Sequence, residues 1–405
     1  MRVVVANCHR GTVGGTERYL RALIPELLAR GHEVAVLHQS ALRSGQAAID
    51  PGEANLTVWC VDRLGRDAAR RAVSEWAPDL VYFNSSGPEE LDEALIARVP
   101  AVLFAHDYGG TCATGSKCHS FPARRPCSRT FGPMCLVLHY PRRCGGLNPV
   151  TLLTGYRAQL RRRSLLPRYQ AVLVASRHME HEFSRHGVRP DRLHFVPLPP
   201  TGVAPDPDPP APRACSGTLL MAGRLTKLKG TDYLVQAVSR ASSALGVPLR
   251  LSIAGEGPDR AAVDELARQH HVAVQFHGWV DGDRLAALMR EADLLAVPSV
   301  WPEPFGLVGI EAGGVGLPSV AYEVGGIGEW LVPGTSGELA PGDPPTVEGL
   351  AEAIVRALRD PVHYASLRRG AWDAARRRTM AAHIALLEPV FRHAVDGWAR
   401  GSAVL

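Results

Sequence analysis

Two cations and two carboxylates in the C-terminal half carry the clearest chemistry in this chain. The cations are Arg224 and Lys229, in Met221-Ala222-Gly223-Arg224-Leu225-Thr226-Lys227-Leu228-Lys229-Gly230. A strand-like apolar run ends at Gly223 and a helix pattern opens near Thr231, so both cations fall on a loop at a strand's carboxyl end. Fixed cations there suit an anionic group, such as a diphosphate, that gains charge as a bond to it breaks. Lys227 is the weaker candidate, and the plain alternative is a pair of solvated surface cations. The carboxylates are Glu303 and Glu311, separated by seven residues in Pro298-Ser299-Val300-Trp301-Pro302-Glu303-Pro304-Phe305-Gly306-Leu307-Val308-Gly309-Ile310-Glu311. Glu303 lies on a proline-bounded loop and Glu311 on a helix that begins near Leu307. Carboxylates accept hydrogen bonds from hydroxyls, so the pair suits a polyhydroxylated ligand. The helix start between them can receive phosphate oxygens on its backbone N–H groups. Glu311 alone is equally an ordinary carboxylate near a helix N-terminus.

The N-terminal half offers two further candidates. Gly14 and Gly15, in Gly11-Thr12-Val13-Gly14-Gly15-Thr16-Glu17-Arg18, follow a first strand and open a helix. Glycines there let the backbone approach an anion, although a flexible turn reads the same way. The spacing is neither the dinucleotide fingerprint nor a P-loop. His106 closes the run Ala101-Val102-Leu103-Phe104-Ala105. At a strand's carboxyl end it can bond a hydroxyl or shuttle a proton, and it can equally be a structural histidine. Two Asp-x-Asp triplets, Asp206-Pro207-Asp208 and Asp281-Gly282-Asp283, read as a linker segment and a helix N-cap rather than a metal site.

The elements that position these residues alternate. Strands are expected at 2–7, 33–38, 56–61, 79–83, 101–105, 171–175 and 193–196, with helices near 16–30, 66–76, 88–98, 151–165 and 177–186. Residues 197–212 are too rich in proline for a helix or a central strand and read as a linker. The pattern restarts with strands at 218–222, 249–254, 273–277, 294–297 and 319–322, and helices at 231–244, 259–270, 283–291, 307–315, 346–358 and 381–398. Strand runs apolar on both faces, alternating with helices, argue for doubly wound parallel sheets. The fold class is α/β, with domains at 1–200 and 213–380 joined by a linker at 201–212. Ligands of such sheets bind beyond the strands' carboxyl ends, which places the cleft between the domains.

Composition narrows the class. The chain has 405 residues and a net charge of +5, too weak a bias to argue for nucleic acid. Only three of its 45 basic residues are lysines, Lys117, Lys227 and Lys229. No apolar run is long enough for a membrane span, and the first residues read as a strand rather than a secretory signal, so a cytoplasmic location is expected. Of eight cysteines, Cys8, Cys60 and Cys215 are scattered and read as buried small apolar residues. Cys112, Cys118, Cys127, Cys135 and Cys144 crowd into an insertion at 112–144 that breaks the α/β alternation. Their spacing lacks a Cys-x-x-Cys knuckle and leaves a structural zinc, disulfides and free thiols all open. The insertion begins at the expected cleft and reads as a lid or an acceptor-side wall. The stretch 156–166 is a basic helix candidate, read either as a solvated face or as a peripheral membrane contact.

Taken in order, these motifs resemble the retaining GT-B glycosyltransferases of family GT4 over nearly the whole chain. The Gly-Gly-x-Glu start, Arg224 with Lys229, Gly255-Glu256-Gly257-Pro258, Glu303 with Glu311, and Gly316-Leu317-Pro318 through Gly325-Gly326-Ile327-Gly328-Glu329 carry the likeness. The resemblance implies two Rossmann-like domains facing an interdomain cleft, with a C-terminal helix in 381–405 crossing back to the first domain. It implies transfer of a sugar from a nucleotide sugar, UDP- or GDP-linked, to a hydroxyl of a natural product, saccharide or lipid-linked glycan. Gly14 and Gly15 would approach the donor phosphate, and Arg224 and Lys229 would hold the diphosphate. Glu303 and the amides of Phe305 to Val308 would bind sugar and phosphate, Glu311 the ribose, and His106 would stand beside the reacting sugar. The resemblance implies front-face attack and no metal cofactor for catalysis. Two competing functions are a nucleotide-sugar epimerase of the same architecture and a non-catalytic sugar-nucleotide binding protein. The motif order favours transfer over epimerisation, and the five charged or titratable candidates together argue against a silent binder.

Overall fold

A computed structural model describes residues 1–42, 46–50, 56–85, 87 and 89–402. Residue 88 of the expected helix 88–98 and residues 403–405 lie outside the described residues. The first sheet contains β1 (Arg2–His9), β2 (Glu33–Ser40), β3 (Thr57–Cys60), β4 (Leu80–Phe83), β5 (Ala101–Ala105), and two later strands. The cysteine-rich insertion supplies a short antiparallel pair, β6 (Cys118–His119) and β7 (Arg125–Pro126). β8 (Ala171–Val174) and β9 (Leu193–Phe195) then complete a seven-stranded parallel sheet in the order β3-β2-β1-β4-β5-β8-β9. The second sheet is parallel and six-stranded, ordered β12-β11-β10-β13-β14-β15. Its strands are β10 (Thr218–Ala222), β11 (Arg250–Ala254), β12 (Ala273–Gly278), β13 (Leu294–Val297), β14 (Ser319–Tyr322) and β15 (Gly337–Ala340). Strands such as β4, β8 and β13 are buried at every residue, as sheets sandwiched between helices require.

The N-terminal helices are α1 (Gly15–Ala29), α2 (Val61–Leu64), α3 (Arg66–Glu75), α4 (Glu89–Ile96), α5 (Met134–Arg142), α6 (Pro149–Leu165) and α7 (Arg177–Arg185). The C-terminal ones are α8 (Thr231–Leu245), α9 (Arg260–Gln269), α10 (Gly282–Glu291), α11 (Leu307–Gly314), α12 (Val347–Arg359), α13 (Pro361–Arg376) and α14 (Met380–Ser402). Six elements fall outside the sequence expectation: α2, the insertion's β6, β7 and α5, then β15 and the whole of α13. The scattered thiols are not the buried residues expected, since Cys215 is exposed on the stretch entering β10 and Cys8 and Cys60 are half-buried.

Two features tie the halves together. Helix α14 lies on the first sheet, although it follows the second in sequence. Its His383 accepts the Tyr19 hydroxyl at 2.8 Å and donates through Nδ1 to the Pro197 carbonyl at 2.8 Å, and Phe391 meets Tyr82 edge-on at 5.0 Å. The insertion is the second tie. It is pinned to α7 by Lys117, whose ammonium lies 2.6 Å from Glu182 and donates to the Arg129 carbonyl at 2.7 Å. Both side chains are almost wholly buried, at 1% and 3% exposure.

A buried ion pair is costly to break from one side, because the survivor is stranded in a low-dielectric site. Lys117→Met should therefore cost about 3–5 kcal/mol in thermal or urea unfolding. A Lys117→Met/Glu182→Leu double variant should recover most of that loss. Equal losses in the single and double variants would show that the pair is not what anchors the insertion.

Candidate active site

The carboxyl ends of the two sheets face each other across a cleft with two adjoining lobes. One, of about 450 Å³, is lined by Gly14, Gly15, His106, Arg224, Lys229 and Glu303 among others. The other, of about 930 Å³, is lined by Arg18, Arg21, Gly202, Gly255, Asp281 and Glu311 among others. Val13, Gly14, Arg18, Gly223, Trp279 and Val308 border both.

Lys229 and Glu303 form the centre of the first lobe. The Lys229 ammonium donates to Glu303 Oε1 at 2.6 Å and stands 5.7 Å from the Trp301 ring centroid. Ser299 Oγ and Trp301 Nε1 (2.9 Å) donate to the same oxygen. Burial alone would raise the Glu303 carboxyl, but the Lys229 charge and these hydrogen bonds outweigh it and hold it below the usual carboxylate range. All three donors converge on Oε1, and Oε2 takes no hydrogen bond among the described residues. Arg224 lines the same lobe and is exposed.

Glycines explain how two loops from distant parts of the chain come this close. Gly230 has φ +66°, and a Cβ there would lie 1.9 Å from the Pro298 carbonyl oxygen. The Lys229 turn therefore packs directly on the Glu303 loop, and Val300 N–H donates to the Leu228 carbonyl at 3.0 Å. Gly325, at φ +58°, leaves room for the Glu303 backbone, and the next amide, Gly326, donates to the Glu303 carbonyl at 2.6 Å. Gly306, at φ +93°, is the N-cap of α11, and Trp330 Nε1 donates to the Phe305 carbonyl at 2.7 Å.

Glu311 sits in the second lobe. Its Oε1 accepts the Gly202 N–H at 2.8 Å, so it grips the interdomain linker. Burial raises its carboxyl above the ordinary value, against the opposing pull of Arg18 and of linker amides. Gly14 and Gly15 open α1 opposite α11, and a Cβ on Gly15 would lie 3.3 Å from Leu307 Cδ1. The Gly14 amide donates to Glu17 Oε2 at 2.9 Å, while Asn7 Nδ2 donates to Glu17 Oε1 at 3.1 Å.

His106 stacks on Phe104 (4.6 Å between centroids) and pairs through Nε2 with Asn84 Oδ1 at 3.1 Å. With the amide oxygen accepting, Nε2 carries the proton and Nδ1 is an acceptor with no partner among the described residues. Burial, helped by nearby His383, pushes its pKa down to about 3. The imidazole is therefore neutral near pH 7, and its single N–H is held by Asn84.

The insertion reaches across to the second domain beside this site. Arg124 makes a two-pronged pair with Asp232 (2.8 and 2.7 Å) and donates to the Lys227 carbonyl at 3.3 Å. Tyr108 OH donates to the Pro302 carbonyl at 2.8 Å, and the Cys118 thiol to the Val300 carbonyl at 3.6 Å. The loops carrying Lys229 and Glu303 are thus both held from the first domain. The insertion's five thiols are free, and no three His, Cys, Asp or Glu side chains gather as a metal site among the described residues. Asp206 pairs with Arg290 at 2.6 Å and Asp281 caps α10 by accepting the Arg284 N–H at 2.8 Å. The arginine run on α6 is not a free basic face. Arg161 and Arg162 pair with Glu90 and Glu89, and Arg163 donates to the Phe131 carbonyl.

A family model described as Glycosyl transferases group 1 matches residues 212–377, and one described as Glycosyltransferase Family 4 matches residues 13–199. Together they take in both domains. The chain belongs to the family 4 glycosyltransferases. It is 39% identical over 174 residues to glycogen synthase of Mycobacterium tuberculosis, a match covering 42% of this chain and 38% of that protein. It is 28% identical over 364 residues to the D-inositol 3-phosphate glycosyltransferase of an Arthrobacter species, covering 82% of this chain and 79% of that protein. The stretch shared with an uncharacterized glycosyltransferase of Methanocaldococcus jannaschii spans 46% of that protein's length. Among solved structures, Anabaena HepE in complex with UDP and glucose has the same fold, with a TM-score of 0.65, 20% identity and full coverage of both chains. WaaG, a glycosyltransferase involved in lipopolysaccharide biosynthesis, aligns with a TM-score of 0.68 and 20% identity over 94% of this chain and 99% of its own.

Several residues lining the cleft of this family 4 glycosyltransferase had no sequence signal of their own. Asn84, at the end of β4, orients His106 from 22 positions away. Ser299 and Trp301 lie inside the Glu303 motif, but only the fold shows that they donate to its carboxylate. Arg18 and Trp279 line both lobes, and Trp279 is 64% exposed, a flat apolar wall without a partner in the sequence pattern.

The low His106 value has a consequence for stability. Unfolded, the imidazole would take up a proton near pH 6.5, whereas folded it does so only near 3. The unfolded chain binds more protons between those values, so stability rises with pH across that window and falls on acidification. His106→Asn should flatten the loss seen between pH 6.5 and 5 by up to about 1 kcal/mol per unit. An unchanged slope in unfolding experiments at several pH values would show that His106 protonates freely in the folded protein.

Proposed function

We propose that the protein transfers a sugar from a nucleotide-sugar donor to a hydroxyl acceptor, with retention at the anomeric carbon and without a metal ion. The observation that carries this reading is the pairing of Lys229 with Glu303 Oε1, with Arg224 on the same lobe and the start of α11 beside it. A cation, a carboxylate with one free oxygen, and a row of backbone amides within one cleft match a diphosphate joined to a polyol. Two proteins of the same fold support it: Anabaena HepE is solved with UDP and glucose, and S. aureus TarM with UDP and alpha-GlcNAc-glycerol.

In this reading Arg224, Lys229 and the amides of Phe305, Gly306, Leu307 and Val308 hold the diphosphate. Gly14 and Gly15 admit it from the opposite wall. Glu303 Oε2 accepts a hydroxyl of the transferred sugar. Glu311 accepts the ribose hydroxyls, exchanging the Gly202 N–H for them. Trp279 gives the base a flat apolar face. As the bond from the anomeric carbon to the phosphate oxygen breaks, the departing diphosphate gains negative charge beside two fixed cations. The acceptor oxygen bonds the same carbon on the same face. Its proton passes to the leaving phosphate oxygen, because neutral His106 is a poor base at pH 7. His106 Nδ1 instead accepts a hydroxyl hydrogen bond and helps place the sugar.

Two outcomes follow. With a panel of nucleotide sugars and polyol or saccharide acceptors, Lys229→Ala should lower kcat by roughly 10²–10³-fold, and Glu303→Gln should do likewise, while EDTA leaves the rate unchanged. The product should keep the donor's anomeric configuration by NMR. A donor that turns over only to an epimer, or full activity in both variants, would sink the proposal.

The pH dependence separates the roles of the titratable groups. Glu303 works ionised, and its carboxyl lies below the ordinary range, so activity should hold as pH falls until it drops through that depressed value. His106 stays neutral, so the profile of kcat against pH should show no His106 limb between 5 and 8. A limb near 6.5 that disappears in His106→Asn would make it a proton carrier instead.

A further inference from the structure

From Asp107 to Glu180 the chain carries twelve lysines and arginines and, between those two residues, no aspartate or glutamate at all. The same segment holds Phe121, Met134, Val137, Tyr140, Leu147, Val150, Leu153 and Leu160. These are half of the sixteen large apolar side chains that are exposed among the described residues. Single exposed apolar residues are ordinary, but this concentration is not. Leu147, Val150 and Val137 are the most exposed of the eight, at 78%, 66% and 65%.

The fold explains the arrangement. Helix α6 buries Leu152 and Tyr156 against the domain. On its other side, Val150, Leu153, Arg157 and Leu160 recur at helical spacing and are all exposed. Helix α5 adds Met134, Val137 and Tyr140 at three-residue steps, and the turn between the helices adds Leu147 with Arg142 and Arg143. The Arg143 guanidinium stands over the Phe121 ring at 5.2 Å, bringing that ring into the same basic surround. Arg129, Arg142, Arg143 and Arg157 are exposed and make no salt bridge among the described residues.

We infer that this outer face of the insertion and the start of α6 docks on an anionic lipid bilayer. Its apolar side chains would enter the headgroup boundary, while Arg129, Arg142, Arg143 and Arg157 meet acidic headgroups. The sign of the charge selects this occupant. A second copy would set arginines against arginines, and like charges across an interface are costly. The inference does not depend on the sugar-transfer reading, because its test measures binding alone.

The test is sedimentation of the full chain with vesicles of phosphatidylglycerol and phosphatidylcholine, and with phosphatidylcholine vesicles alone. Binding should require the anionic lipid and weaken as salt rises. Arg142→Ala/Arg143→Ala should weaken it by roughly fivefold per arginine removed. Leu147→Glu/Val150→Glu should abolish it while the melting temperature and the far-UV spectrum stay unchanged, since both sites are exposed. No binding to the anionic vesicles would overturn the inference. So would equal binding by the glutamate variant, or a dimer in light scattering that the same variant dissociates.

Discussion

One buried oxygen organises this site. Glu303 Oε1 accepts three hydrogen bonds, from Lys229, Ser299 and Trp301, inside a cleft where an unpaired carboxylate would not stay charged. That convergence fixes the carboxylate plane, sets Lys229 beside the ring of Trp301 and keeps the second oxygen available. It works only because the two loops touch. Gly230 removes the side chain that would push them apart, the bond from Val300 to Leu228 closes the seam, and Gly325 lets the loop after β14 pack on the Glu303 backbone. The glycines near this site are therefore contact surfaces as much as turns.

The first domain contributes more than the far wall of the cleft. Tyr108, Cys118 and Arg124 each bond the backbone of the second domain within a few residues of Glu303 or Lys229. The buried Lys117–Glu182 pair anchors the segment from which Cys118 and Arg124 reach out. In the other lobe, Glu311 holds the linker amide of Gly202, with Arg18 close by. A ligand bound at Glu311 would compete with that contact and so link occupancy of the second lobe to the position of the linker.

Much of this was legible in the sequence. Apolar runs without alternation gave the parallel strands, and β13 and β14 fall at 294–297 and 319–322 as expected. Candidate residues at strand carboxyl ends share one cleft because doubly wound sheets place those ends together. Other parts were hidden for physical reasons. Helix α13 begins at Pro361, which reads as a break, yet Asp360 caps it and proline suits a first turn. Strand β15, Gly337-Glu338-Leu339-Ala340, is short and lacks the β-branched residues that announce a strand. The partner of Glu311 is 109 positions away, and hydrogen-bond partners at that range leave no local pattern. The arginine run 161–163 looked like a free basic face because its acidic partners, Glu89 and Glu90, belong to another helix.

The return of α14 to the first sheet bears on how the polypeptide matures. Tyr19 and Tyr82 are sealed by His383 and Phe391, which leave the ribosome roughly three hundred residues after Tyr82 at a few to twenty residues per second. Domains generally fold as they emerge, but this one stays open on one side until the second has been synthesised. The earlier domain must wait, with aromatic surface uncovered, for the last helix to arrive.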